Sequence, residues 1–119
     1  MNSSSHAEQL RCLHTSDVMR LRSSLQLVDA HGAPYFASGH VPDAVNLPPH
    51  EVKRLAPRRL RDRGASIVVY GARGSSNARI VAEQLVELGY SDVSLYVDGL
   101  EGWIAAGQPV TSAPDEASG

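Results

Sequence analysis

Apolar positions along the chain follow two spacings in alternation. Short unbroken runs read as strands, and runs spaced three and four apart read as helices. Ile67–Tyr70 (IVVY) is the clearest strand, a β-branched and aromatic run of the kind buried on both faces of a parallel sheet. Leu25–Ala30 (LQLVDA) and Val93–Val97 read the same way, Ala44–Leu47 is a brief strand before Pro48-Pro49, and Leu10–Leu13 is a short edge strand. Ser76–Leu88 carries Ile80, Val81, Leu85 and Leu88 at helical spacing, and Gly89 ends it. Thr15 or Ser16 is placed to cap a helix through Val18, Met19 and Leu21. Pro34–Ser38 is a helical turn closed by Gly39, and Leu100–Ala106 is a short last helix. Glu51–Arg63 turns Val52, Leu55 and Leu60 inward, with Pro57 as an interruption. Strands separated by helices predict an α/β domain with a parallel sheet and right-handed crossovers.

Composition changes this picture little. The chain has 119 residues, 42% hydrophobic and 20% charged, enough for one domain. Residues 8–110 form that domain in this reading, with loose polar tails at 1–7 and 111–119. A formal charge of −2 calls for neither a nucleic-acid nor a membrane partner. No apolar run approaches the ~20 residues of a membrane span, and MNSSSHAEQL lacks the apolar core of a secretory signal. The single cysteine, Cys12, excludes an internal disulfide, and a cytoplasmic location is the expectation. The histidines His6, His14, His31, His40 and His50 show no metal-ligand spacing, and neither a metal nor a cofactor is implied.

The candidate chemistry lies after the best strand. Ligands of open parallel sheets bind at the carboxyl ends of the strands. There the chain reads Gly71, Ala72, Arg73, Gly74, Ser75, Ser76, Asn77 and then enters a helix. Small residues let successive N–H groups turn into one concavity, and the helix start adds partial positive charge, so the loop is a candidate anion cradle. Arg73 would stand at its rim. On composition alone, a glycine-rich turn that binds nothing is the simpler reading.

Four stretches alter that weighting: LVDAH (Leu27–His31), YFASGHVPDAVNLP (Tyr35–Pro48), IVVYGARGSSNA, and LGYSDVSLYVDGLEGW (Leu88–Trp103). In order and spacing they resemble the rhodanese-like family over about Leu10 to Val110. The resemblance implies a five-stranded parallel sheet flanked by helices on both faces. It also exposes a departure. Sulfurtransferases of that family carry a cysteine at the first loop position, which takes sulfur as a persulfide, in a loop of the form Cys-x-x-Gly-x-Arg-Ser. Here the first position is Gly71; Gly74 matches, and the loop arginine is missing. Related phosphatases need Cys and Arg six positions apart, where this chain has Gly71 and Asn77. Glycine offers no thiolate, so the cradle can hold an anion but cannot carry sulfur covalently at that atom.

The remaining residues read more plainly. Cys12 is read as a small buried hydrophobe in the first strand, and Ser75 and Ser76 as helix caps. Asp29 organises loops by hydrogen bonds, His31 is a solvated loop histidine near the loop mouth, His40 bonds backbone, and Trp103 anchors the last helix. Lys53, Arg54, Arg58, Arg59, Arg61 and Arg63 read as a solvated helix face. Three functions follow: a non-catalytic module binding a small anion, a persulfidated partner or another protein; a weak thiosulfate-type sulfurtransferase using another thiol; or an interaction domain working through the Lys53–Arg63 face.

Overall fold

The computed structural model describes residues 10–112. Five parallel strands form one sheet: β1 (Arg11–Leu13), β2 (Gln26–Asp29), β3 (Val45–Asn46), β4 (Ser66–Tyr70) and β5 (Asp92–Tyr96), in the spatial order β1-β5-β4-β2-β3. One transverse row shows the register across all of them: Cys12, Leu95, Val69, Val28, Val45. The strand with the longest β-branched run is the central one, and like its neighbours β2 and β5 it takes apolar cover on both faces.

Five helices supply that cover: α1 (Thr15–Leu21), α2 (Ala33–Ser38), α3 (Val52–Arg59), α4 (Asn77–Glu87) and α5 (Gly99–Ala105). On one face, Val52, Leu55 and Ala56 of α3 and Ala78, Val81, Ala82 and Leu85 of α4 pack over Val28, Ile67, Val69 and Leu95. On the other, Val18, Phe36 and Trp103 from α1, α2 and α5 pack over Leu27, Val68, Tyr70 and Tyr96. The two-sided helical cover and the five-stranded parallel sheet match the expectation.

Several local expectations need correction. The apolar stripe of α4 runs 78, 81, 82, 85, which leaves Ile80 40% exposed rather than inward. Pro57 does not break α3; it sits within the last turn, and the helix stops at Arg59, short of Arg63. The start of α1 is not capped by Thr15 or Ser16. Asp17 accepts the His14 N–H at 3.0 Å, and Asp98, from the far end of the sequence, accepts the Thr15 N–H at 2.9 Å. Thr111, expected in a loose tail, exchanges two backbone hydrogen bonds of 2.8 Å with His40. The rest of the tail assignments, 1–7 and 113–119, lie outside the described residues.

His40 and Trp103 act as read. The His40 ring is buried, stacks on Phe36 at 3.6 Å and bonds the Phe36 carbonyl through Nδ1, and Trp103 donates Nε1–H to the Pro109 carbonyl. Cys12 is not buried. β1 is an edge strand of only three residues, and the thiol is exposed. No described helix is long and apolar enough to cross a membrane.

Candidate functional site

β4 delivers the chain to the carboxyl edge of the sheet at Tyr70, and α4 begins at Asn77. Between them the backbone makes a tight turn in which Ser75 donates its N–H to the Ala72 carbonyl at 3.0 Å. Gly74 is the third residue of that turn with φ of 81°, a left-handed conformation that disfavours any Cβ. Ser75 Oγ, rather than Ser76, accepts the Asn77 N–H at 3.1 Å and so caps α4.

The loop is clamped from the side by the start of α5. Leu100 donates its N–H to the Gly71 carbonyl at 3.0 Å, and the Glu101 carboxylate accepts the Arg73 N–H at 2.8 Å. That bond holds the Glu101 carboxyl below its usual range. Gly99 permits the approach: with φ of 69°, a Cβ there would lie 2.6 Å from the Gly71 carbonyl oxygen and 2.8 Å from the Arg73 nitrogen. The closing DGLEGW stretch is therefore part of the site.

The amides of Arg73, Ser75 and Asn77 are thus spent on protein acceptors. The amides of Ala72, Gly74 and Ser76 make no hydrogen bond among the described residues. The loop is an alternating cradle, not a set of successive free donors. The three residues with unused donors all line one cavity of about 300 Å³, together with Gly71, Ser75, Ala78, Arg79, Leu95, Tyr96 and Val97.

Arg73 and Asn77 do not line it. The Arg73 N–H is held by the Glu101 carboxylate of α5, and its charge helps to lower the Glu101 pKa. The cation facing the cavity is Arg79, in the first turn of α4, 3.9 Å from Glu83. A basic residue in a first helical turn opposes the helix dipole, and that local misfit is the sequence signal for Arg79. Leu95, Tyr96 and Val97 enter from β5 and its end, which no local motif of the loop announces.

Gly71 is buried and its backbone lies outside the left-handed region. A Cβ built there meets Ala78 N at 3.7 Å, Ala78 Cβ at 3.8 Å and Ala30 Cβ at 4.0 Å, ordinary contacts all. The position accepts a side chain sterically, although the chain has none there.

Asp29 and His31 form a second cluster at the same edge of the sheet. Asp29 is fully buried, and its Oδ1 accepts the His31 N–H at 2.8 Å and pairs with His31 Nδ1 at 2.9 Å. His31 is therefore not a solvated loop histidine; its side chain is 17% exposed, because Asp29 draws the ring inward. The bond to Asp29 raises the His31 pKa above its ordinary value against the opposing effect of burial, and the Glu101 charge adds to the rise. Asp29 Oδ2 is buried with no hydrogen-bond partner among the described residues. Beside it, the Tyr70 phenol is held protonated far above its usual range, first by burial and then by the Asp29 charge, and accepts the Val41 N–H at 3.0 Å. Asp29 organises the surrounding loops, as read from the sequence, since its carbonyl also accepts the Leu47 N–H and the Asn46 side chain. No cluster of three or more His, Cys, Asp or Glu able to hold a metal ion occurs among the described residues.

Comparison with known proteins accords with this geometry. The family model described as the rhodanese-like domain matches residues 14–106. The thiosulfate sulfurtransferase GlpE of Pseudomonas savastanoi pv. phaseolicola is 35% identical over 79 residues, covering 66% of this chain and 72% of that protein. Among solved structures, a thiosulfate sulfurtransferase from Pseudomonas aeruginosa superposes with a TM-score of 0.77 at 32% identity over 87% of this chain, which spans only 20% of that protein. The Rhodanese_3-like domain of the Alr3790 protein from Anabaena superposes with a TM-score of 0.66 at 26% identity, covering 75% of this chain and 93% of that domain. With a family match running from α1 through α5 and a relative more than a third identical, the chain belongs to the rhodanese-like domain family.

Proposed function

We propose that this domain is a rhodanese-like module that binds a small anion, or the persulfide of a partner protein, at the Gly71–Asn77 loop without taking the sulfur covalently. One observation carries the reading: the residue directly after the central strand, lining the cavity, is glycine. Sulfur transfer through an enzyme persulfide needs a thiolate at that atom, and Gly71 supplies none.

The supporting features concern binding. Unused amides at Ala72, Gly74 and Ser76, the start of α4 and the Arg79 guanidinium all favour negative charge. Leu95 and Val97 give the opposite wall an apolar surface suited to a polarisable sulfur atom or a short carbon arm. The thiosulfate named for two of the similar proteins is the first ligand to try.

A second reading, sulfur transfer by another thiol, draws on the exposure of Cys12 and its place beside Leu95, which lines the cavity. Strand spacing sets its Cα about 12 Å from that of Gly71, two strands across and two residues along. A sulfur held over Gly71 is far outside covalent reach of that thiol.

The test is a titration of the isotope-labelled chain with thiosulfate, followed by backbone amide shifts, beside a sulfur-transfer assay from thiosulfate to cyanide. Saturable shifts at Gly71 to Ala78 with no turnover are expected. Turnover by the chain as given, or no shift in the loop, overturns the proposal.

A further inference from the structure

We propose that the end of the sheet opposite the loop is a docking surface for an acidic polypeptide segment of a partner protein. Two concavities open there on either side of the start of β2 and share Gln26. One, of about 530 Å³, lies under the end of α1 and carries Arg20, Arg22 and Asp43. The other, of about 510 Å³, lies at the end of α3 and carries Arg58, Arg59, Arg61 and Asp62. Five of the chain's 11 basic residues thus line adjoining hollows in a protein whose formal charge is −2.

A merely solvated helix face would spread these charges over a convex surface. Here they line hollows, and some are already placed. Arg22 lies over the Trp103 ring at 5.9 Å and donates to the Pro42 carbonyl, an acceptor that fixes the guanidinium without neutralising it. Arg59 donates to the Asn46 carbonyl at 2.7 Å. Guanidinium groups held in this way lose little freedom on meeting a carboxylate, which they engage with paired N–H donors. Arg58 and Arg61 are exposed and have no partner among the described residues. Asp62 is committed to its own turn, accepting the Gly64 N–H at 2.9 Å.

The lining favours a peptide over a nucleic acid. Among the described residues no aromatic side chain lines either hollow to stack a base, and Asp43 and Asp62 would repel a continuous phosphate backbone. Discrete carboxylates on an extended chain can meet the arginines and avoid the aspartates.

The experiment uses the full chain and a labelled oligoglutamate peptide, with anisotropy and amide shifts as readouts at low and physiological salt. Binding that weakens with salt, with shifts at Leu25, Gln26 and Ala65, is expected. Arg58→Glu with Arg61→Glu should weaken it by at least about tenfold, and Arg58→Gln with Arg61→Gln, which keeps the hydrophilic surface, by an intermediate factor. Unchanged affinity in both variants overturns the proposal. So do shifts centred on Gly71 to Ser76, which would assign the carboxylates to the loop cavity instead. Tighter binding of a single-stranded oligothymidylate than of oligoglutamate also overturns it.

Discussion

Replacing Gly71 by cysteine asks whether the scaffold still does to a thiol what the loop geometry implies. The substitution fits: the nearest atoms to the new Cβ lie at 3.7–4.0 Å and the backbone needs no left-handed conformation. Folding should be unharmed, and the loss of glycine freedom in the unfolded chain adds about 0.4–1 kcal/mol of stability. The new thiol sits against the first turn of α4, with Ala78 N the closest atom to its Cβ. A helix N-terminus stabilises a partly buried anion by roughly 1–2 kcal/mol. At ~1.36 kcal/mol per unit, that lowers the thiol pKa by about one unit from the ~8.5 of free cysteine. Burial at position 71 and the Glu101 carboxylate oppose the shift and reduce it. The assay is the pH dependence of iodoacetamide alkylation, run in a Cys12→Ser background because the native thiol is exposed. The same protein should gain sulfur transfer. Its thiolate attacks the outer sulfur of thiosulfate, the sulfur–sulfur bond breaks and sulfite leaves; cyanide then takes the sulfur as thiocyanate and restores the thiolate. A thiol pKa at or above 8.5 would refute the cradle. A depressed pKa without turnover would show a cradle that binds but lacks the remaining catalytic groups.

Other perturbations probe the parts around it. Gly99→Ala puts a methyl 2.6 Å from the Gly71 carbonyl in a left-handed backbone, and thermal unfolding should show a loss of about 2–4 kcal/mol; a loss under about 0.5 kcal/mol would mean that α5 does not clamp the loop. Glu101→Gln keeps an acceptor for the Arg73 N–H while removing a charge near the cavity. Thiosulfate affinity should rise about two- to fivefold, as expected for an exposed charge, and an unchanged affinity would place Glu101 outside the ligand's field. The raised pKa of His31 makes its contribution to stability full below about 6.5 and lost as pH rises through its folded value. His31→Gln should therefore cost most stability at low pH, and a penalty that grows with pH, measured by urea unfolding, would contradict the Asp29 pairing.

Legibility in the sequence followed the range of the interaction. The loop was readable because its determinants are local: a β-branched run, small residues, then a helical stripe. Gly74 stands out in the sequence as the loop position that matches the family pattern, and the structure shows why a glycine is needed there, since its positive φ decides the turn. Arg73 does not line the cavity expected of it because adjacency in sequence says nothing about direction, and Glu101, 28 residues on, holds that amide toward α5. The capping of α1 failed for the same reason, as the acceptor for Thr15 is Asp98, 83 residues away.

By itself, then, the sequence determined the order of strands and helices, the parallel sheet and the absence of a thiol at position 71, which rest on local periodicity or on the identity of a side chain, while the family rested on the resemblance of four stretches to known members. Only the tertiary structure decided that Cys12 lies at an exposed edge, that His31 is drawn onto a buried Asp29, that every second loop amide is already spent, and that Arg79 rather than Arg73 faces the cavity. The physical reason is common to the four. Burial, electrostatic partners and hydrogen-bond acceptors are supplied by elements distant in sequence, and the packing of α5 and β5 against the loop is what brings them within reach.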